Sequence, residues 1–178
     1  PPMVPPVVLD IQGDGNVFVG LDAGVAYDYN GDGQKTQTAW IAAGAAILAY
    51  DANAHGVIDG ASEFVFGDAN TTDLEALLAN FDSNGNATLD AGDAEYGKFG
   101  VWMDDGDGVY EVGEFKSLDE AGIASIDLEL NGIGGEEVGG DVVVYNTVGY
   151  TNDDGSTGTA YDAAFALGGD ALDASASV

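Results

Sequence analysis

The amino-acid sequence predicts an α+β fold: a single domain, rich in acidic loops, in which helix–loop–helix segments accompany short antiparallel strands. Three observations predict it. Short runs of Asp and Asn at alternate positions recur five times in 178 residues, most of them closed by glycine. Clusters of β-branched and aromatic residues flank the first runs and dominate the C-terminal part, as strands do. Residues 72–79, Thr-Asp-Leu-Glu-Ala-Leu-Leu-Ala, carry an apolar stripe at helical spacing behind a threonine N-cap.

In chain order, residues 1–6 (Pro-Pro-Met-Val-Pro-Pro) form a proline-rich linker, and residues 7–178 are expected to make the domain. A proline-rich start is not a secretion leader, so the chain is expected to be part of a longer polypeptide. Val7-Val8-Leu9 and Val17-Phe18-Val19 flank the first acidic run as two short strands, and Val25-Ala26-Tyr27 leads into the second. Residues 40–50 are open to two readings: their alanines favour helix, while Gly44 breaks it and Ile47-Leu48-Ala49-Tyr50 fits a strand. The helix over 72–79, capped by Thr71 or Thr72, delivers the chain into the fourth run, and residues 91–99 are the expected exiting helix. Residues 118–122 make a further helical turn ended by Gly122. Beyond it, 126–130, 141–150 and 159–167 alternate as strands, with a hairpin turn at Asn152-Asp153-Asp154-Gly155. The glycine-rich Asn131-Gly132-Ile133-Gly134-Gly135 lacks the lysine and the strand-to-helix setting of a phosphate loop and reads as a turn.

The acidic runs are the opening half of an EF-hand-type loop, D-x-[DN]-x-[DN]-G. Calcium takes six to eight hard oxygen ligands; side chains at positions 1, 3 and 5 converge on one ion, and glycine at position 6 permits the sharp turn. Candidate ligands are Asp10, Gln12 and Asp14 in the first run; Asp28, Asn30 and Asp32 in the second; Asp51, Asn53, Asp59 and Glu63 in the third. His55, at the third run's fifth position, is a poor ligand for a hard cation. The fourth run is the most complete, with Asp82, Asn84, Asn86, Asp90 and Asp93 at positions 1, 3, 5, 9 and 12, although Ala87 stands where glycine is usual. The fifth has Asp105, Asp107, Gly108, Glu111 and Glu114 in a register that begins one residue before Asp104, so Asp104 must serve as its first ligand. The first two runs have no acid at position 12 and need a ligand from elsewhere; Asp22 or Asp68 is the expected donor. About five calcium ions are expected.

Composition agrees. Three lysines and no arginine face 32 Asp plus Glu, a formal charge of −29, which five calcium ions would reduce to −19. A halophile surface is also acid-rich and lysine-poor, but it explains neither the alternate spacing nor the glycines. Nucleic acid and anionic membranes would be repelled. There is no cysteine, and a single histidine leaves no zinc site and no Cys/His or Ser/His/Asp catalysis, so no catalytic residue is assigned. Calcium is the expected staple in place of disulfides.

Several segments resemble calcium-binding modules of large secreted RTX proteins. Residues 6–15, Pro-Val-Val-Leu-Asp-Ile-Gln-Gly-Asp-Gly, are similar to the opening P-x-x-L-D-L-D-G-D-G of those modules. Tyr27-Asp28-Tyr29-Asn30-Gly31-Asp32-Gly33 with Thr38-Ala39-Trp40 resembles F-D-x-N-x-D-G…T-G-W. Residues 56–63 with Phe66-Gly67-Asp68 resemble G-x-I-D-x-x-x-E-L-F-G-D, and Val101-Trp102-Met103-Asp104 with residues 114–123 resembles V-W-x-D…E-L-x-x-L-x-x-x-G-I. The likeness covers roughly residues 6–130.

Two functions are implied by that resemblance. The RTX self-processing module cleaves an Asp-Pro bond before its opening motif when calcium folds it, the aspartate attacking its own peptide carbonyl. Here Pro5 stands before Pro6, and no proline in the sequence follows an aspartate. The peptide-binding domain of giant RTX adhesins uses a similar scaffold as a receptor. That relationship implies a non-enzymatic, calcium-dependent peptide-binding module, extracellular on a bacterial cell surface and monomeric within a long multidomain chain. The expected partner is a peptide or protein of a target cell, held through a terminal carboxylate at an incompletely ligated calcium, with a glycan the second choice. Tyr27, Tyr29, Trp40, Tyr145 and Tyr150 are the candidate ligand-contacting aromatics. A calcium-stiffened structural spacer is the third reading.

Overall fold

Period-two alternation, rather than helical spacing, governs most of this chain. The computed structural model describes residues 3–29, 31–52, 56–58, 60–67, 71–129, 136–138 and 141–168. Its strands are β1 (Met3–Val4), β2 (Val7–Asp10), β3 (Phe18–Val19), β4 (Ala26–Tyr27), β5 (Thr36–Gln37), β6 (Trp40–Ile41), β7 (Ala45–Tyr50), β8 (Thr88–Asp90), β9 (Phe99–Trp102), β10 (Phe115–Ser117), β11 (Ile123–Asp127), β12 (Glu136–Val138), β13 (Val142–Asn152) and β14 (Thr157–Ala166). Two α-helices accompany them, α1 (Asp73–Phe81) and α2 (Leu118–Ala121). The main sheet runs β10-β9-β7-β2-β14-β13-β11-β8, with β1 on β14 and β12 on β13, and all its pairings are antiparallel. It curls into a half-barrel. Two-stranded ladders, β3–β6 and β4–β5, lie beside it.

The α+β expectation with EF-hand-like helix–loop–helix segments is therefore overturned: the domain is mainly antiparallel β. Among the described residues the two α-helices have only nine and four residues. The error lies in the exits from the acidic runs. Helix α1 does lead into the fourth run, but the chain leaves it through β8, which pairs Leu89 with Ile126 of β11. The helix expected over 91–99 is a turn followed by one 3-10 turn, Tyr96–Lys98, and then β9. Its aspartates hold that turn. The amide of Gly92 donates to Asp90 Oδ1 at 2.9 Å and that of Asp90 to Asp93 Oδ2 at 2.9 Å, local bonds that compete with helix.

The ambiguity over 40–50 resolves as two strands. Gly44 turns between β6 and β7 at φ +90°, and a Cβ there would lie 2.3 Å from the Gln12 side chain. The expected hairpin at 152–155 joins β13 to β14, whose register runs from Val142↔Phe165 to Thr151↔Thr157. The strand expected over 126–130 begins earlier, at Ile123, directly after α2. The turn expected at Asn131–Gly135 lies outside the described residues.

Alternate residues of the central strands feed two cores, one on each face of the sheet. Val7, Leu9, Ala46, Leu48 and Val101 pack with Leu74 and Leu77 of α1 and Leu118 of α2. Val8, Ile47 and Trp102 face the other way, against Trp40, Tyr27, Phe64 and Phe165. Helix α1 needs this packing, because nine residues are too few to hold a helix alone. Its start is fixed by a capping box: Glu75 N donates to Thr72 Oγ1 at 3.4 Å, and Thr72 N donates to Glu75 Oε1 at 2.8 Å. Helix α2 repeats the device with Ser117 and Glu120 and ends on Gly122 at φ +77°. No described helix is long and apolar enough to cross a membrane.

Candidate calcium loops and the cleft between them

A carboxylate followed by short polar residues can fold the next turn around itself, and four of the acidic runs do this in one way. In each, the first aspartate accepts amides from its own loop, including the one at position 6. Asp10 takes Gly13 N at 2.9 Å and Gly15 N at 2.8 Å. Asp28 takes Gly31 N and Gly33 N, both at 2.8 Å, and Asp32 N at 3.2 Å. Asp51 takes Gly56 N at 2.6 Å. Asp82 takes Asn86 N at 3.1 Å and Ala87 N at 2.8 Å. Ala87 stands in the glycine position with φ +60°, the one non-glycine residue at positive φ among those described.

The fourth loop is also tied from its far end. Asp93, at position 12, accepts Ser83 N at 2.9 Å through Oδ1 and Asp90 N at 2.9 Å through Oδ2, and is nearly buried. Asn86 Nδ2 donates to Asp90 Oδ2 at 2.9 Å, so the side chains at positions 5 and 9 meet. Asn84 Nδ2 stands 3.5 Å from Asp90 Oδ1.

The fifth loop is shorter by one residue. Asp104 accepts Gly106 N at 2.8 Å and Gly108 N at 3.0 Å, gripping its loop as the first aspartates of the other runs do. Glu114 closes the loop as Asp93 closes the fourth, taking Glu111 N at 2.9 Å and Asp105 N at 3.3 Å. Both tryptophans of the chain are attached here: Trp40 Nε1 donates to Asp104 Oδ2 at 2.9 Å, and Trp102 Nε1 to Glu114 Oε1 at 3.1 Å. Carboxylate oxygens of Asp104, Asp105 and Asp107 lie within 4.8 Å of one another, as do those of Asp105, Glu111 and Glu114.

This crowding is felt in their acidity. Burial first, then the Glu114 charge, raises the Asp104 carboxyl, and the Asp107 and Asp105 charges raise Glu111. Asp107 is lowered, chiefly by the amide of Val109. Asp104 Oδ1 is buried and meets no hydrogen-bond donor. All the side-chain donors are hard oxygens. A calcium-sized cation fits this set, since it would satisfy the orphaned oxygen and the crowded charges together.

The remaining predicted residues are unevenly placed. Asn30, Asn53, Asp59 and Asp68, with His55, lie outside the described residues. Gln12 lies over Gly44, and its amide donates to the Gly44 carbonyl at 3.1 Å. Asp14 and Asp32 accept the amides two residues on, Asn16 N at 3.0 Å and Gln34 N at 2.8 Å. Glu63 is buried at the end of a 3-10 turn, Ala61–Glu63. Asp22 sits beside Asp141, whose Oδ2 accepts Leu21 N at 2.9 Å. Sequence reasoning passed over Asp141 because no acidic repeat surrounds it.

The five candidate aromatics separate. Trp40 is fully buried and stacks on Tyr27 with ring centroids 5.5 Å apart. Tyr27 is buried too, and its hydroxyl is raised to about 12 by burial and by the Asp28 charge. Tyr29 is half-buried, shares a 2.9 Å hydrogen bond with Thr38 Oγ1, and has its hydroxyl raised by burial. Tyr150 is buried and donates to the Asp10 carbonyl at 2.9 Å, so it braces the first loop. Tyr145 is half-buried on β13. Trp40 and Tyr150 are therefore packed into the core, and Tyr27 largely so.

An open cleft of about 230 Å³ lies between the second and fifth loops. Asp28, Gly31 and Lys35 from the second loop, Gly108, Val109 and Tyr110 from the fifth, and Tyr27 and Gly60 line it. Tyr110 was not anticipated; its only signal in the sequence is an aromatic placed just after an acidic run.

Residues 7–166 match the family model described as the SPM domain. Among curated proteins, the iron-regulated protein FrpA of Neisseria meningitidis serogroup C is 34% identical over 163 residues, an alignment covering 85% of this chain and 14% of that protein. The chain thus corresponds to a small part of that relative's length.

Proposed function

The chain belongs to the SPM domain family, and we propose that it is a calcium-dependent peptide-binding module of a secreted RTX-type bacterial adhesin, non-enzymatic and exposed at the cell surface. The observation that carries this reading is the cleft between the second and fifth acidic loops, where the calcium-type donor Asp28, one of only three lysines and the half-buried Tyr110 meet. Calcium bound in these loops would supply positive charge and, where the protein's ligand set is incomplete, an open coordination position for a carboxylate. Around that point the chain's own groups do the selecting. Lys35 is placed to attract a peptide's terminal carboxylate, while Tyr110 and Val109 offer apolar surface to the side chain before it. The indoles of Trp40 and Trp102 hold the first and last acids of the fifth loop, so the cleft wall is positioned by the core.

Family membership favours a second reading, calcium-triggered self-processing, because the match covers the region that resembles the RTX self-processing module. Against it stands Pro5 at the position where that reaction needs an aspartate. A mass spectrum and a peptide array taken on one sample, first with calcium and then with chelator, decide between them. Calcium-dependent capture of particular peptide C-termini by an intact chain is the expected result. A calcium-triggered mass loss or crosslink would establish self-processing instead, and capture that persists in chelator would refute the calcium mechanism.

A further inference from the structure

The second and fifth loops share more than the lining of the cleft, and Asp104 is where they join. Its Oδ2 accepts three donors, Gly106 N at 2.8 Å, Gly108 N at 3.0 Å and Trp40 Nε1 at 2.9 Å, while its buried Oδ1 meets none. One oxygen is thus free for a cation, and the other is fully engaged by the protein.

Two of those three donors lead to the second loop. Trp40 stacks on Tyr27, with ring centroids 5.5 Å apart and 23° between the planes, and Tyr27 directly precedes Asp28. Gly108 lies against the backbone of β4. A Cβ there would stand 2.6 Å from the Ala26 carbonyl oxygen and 2.9 Å from Val25 Cγ1, and its φ of +72° favours glycine as well. Thr38 N donates to the Val25 carbonyl at 3.0 Å, tying the chain just before Trp40 to the residue before β4. From the far end of the fifth loop, Trp102 donates to Glu114 and packs with its ring centroid 5.8 Å from that of Tyr27. Both ends of the fifth loop therefore bear on the strand that delivers Asp28. The fourth loop is fastened elsewhere: Leu128 N, just after β11, donates to the Ala87 carbonyl at 2.9 Å.

We propose that Trp40 and Gly108 couple the fifth loop to the second, so that a cation held at Asp104 raises the second loop's affinity for its own; the coupling rests on the acidic loops holding calcium, as proposed above. A buried carboxylate without a countercharge is unfavourable. Empty, the fifth loop holds Asp104 poorly, and Trp40 and Gly108 lose a fixed acceptor. Filled, it fixes Asp104, the stack of Trp40 on Tyr27 and the backbone of β4, so less ordering remains when Asp28 takes up its ion. Linkage makes the effect mutual, and an ion in the second loop raises the fifth loop's affinity by the same factor. Trp40 is a positioning residue, acting on Asp28 through Tyr27. Because the coupling acts on affinity, excess calcium fills both loops in any case. Its consequence is that both walls of the cleft form over one range of calcium concentration.

The test is a calcium titration of the isotope-labelled chain by NMR, read at three amides that donate to the first aspartates of their loops. These are Gly33 for the second loop, Ala87 for the fourth and Gly108 for the fifth. In Asp104→Asn the Gly33 midpoint should rise at least about tenfold more than the Ala87 midpoint, since a general loss of fold raises both alike. In Asp28→Asn the Gly108 midpoint should exceed that of Ala87 by the same factor. Trp40→Phe keeps a ring on Tyr27 and drops the indole donor; in that background the excess caused by Asp28→Asn should fall below about threefold. Equal shifts of Gly33 and Ala87 in Asp104→Asn, or the full excess retained with Trp40→Phe, would overturn the coupling and leave calcium binding intact. If all three amides ignore calcium in the native protein, the function proposed above fails and the coupling with it. Should Asp104→Asn or Trp40→Phe fail to fold, Asp28→Asn in the exposed second loop decides alone: an excess at Gly108 supports the coupling, and no excess overturns it.

Discussion

The fourth and fifth acidic loops are held from both ends, whereas the first and second are held from one. Asp93 and Glu114 reach back from position 12 to amides near the start of their loops, and the first acid of each grips the middle. In the first two loops Asp10 and Asp28 grip the middle, and the sequence places no acid at position 12 to return. The difference teaches that one motif is built to two geometries here, and these suit two purposes if the loops hold ions. A loop closed at both ends presents a preformed ligand set, so binding the ion costs little ordering. A loop closed at one end leaves coordination positions open, and the second loop borders the open cleft.

The largest effect that bears on this comparison is removal of calcium altogether. With no bound cation the −29 charge is not offset and the crowded acids of the fifth loop repel one another. Chelator should unfold the chain, or lower its Tm by tens of degrees, and calcium should restore it. Tryptophan emission is the natural readout, because both indoles donate to acids of the fifth loop. If emission and Tm are the same with and without chelator, the closed loops are not ion sites and the comparison fails.

Next in size is Asp104→Asn. It leaves an acceptor for Trp40 and the loop amides but removes the buried charge that a cation needs. At free calcium roughly a thousandfold above Kd, loss of one site costs about 4 kcal/mol. Denaturant titration at fixed calcium should show that loss, and the difference from native should vanish in chelator. A loss of the same size in chelator would mean that Asp104 acts through packing alone.

These effects also separate what could be read from the sequence. The acidic runs were legible because the loop motif fixes both residue type and spacing, and the structure folds them as loops around their first aspartate. Helix α1 and its Thr72 cap were legible for the same kind of local reason. The path of the chain beyond each run was not. Whether residues 88–99 continue as helix or strand depends on β11 pairing with Leu89, a contact made by residues far along the chain. Asp162 was hidden in a strand of alternating residues, where nothing local marks a buried carboxylate. The aromatics could not be sorted from the sequence, because size suits a core and a binding wall equally; Trp40 and Tyr150 are buried.

A smaller, stabilising change sharpens the comparison from the other side. Ala87 sits at φ +60°, where an L-residue pays roughly 1–2 kcal/mol that glycine avoids. Ala87→Gly should stabilise the calcium-loaded protein by about 1 kcal/mol, measured by denaturant titration. Because the fourth loop is already closed by Asp93, its calcium affinity should rise only slightly. A large rise would show that the closing acid had not preorganised the loop.

The smallest effect on stability, and the sharpest on function, is expected from Asp28→Asn in the singly held second loop. Asparagine keeps one acceptor for Gly31 and Asp32 and loses the other, which now takes Gly33 N. The loop is solvent-exposed, so the cost should be no more than about 1 kcal/mol. Yet Asp28 lines the cleft together with Tyr110, and losing its charge weakens any ion held there. Peptide capture should fall at least tenfold while Tm stays within a few degrees of native. The paired change Glu114→Gln should show the reverse order of effects, a large loss of Tm with capture lost only because the fold is lost. If both variants lose stability and capture in the same proportion, the open and closed loops do one job, and the division of labour drawn from their two geometries is wrong.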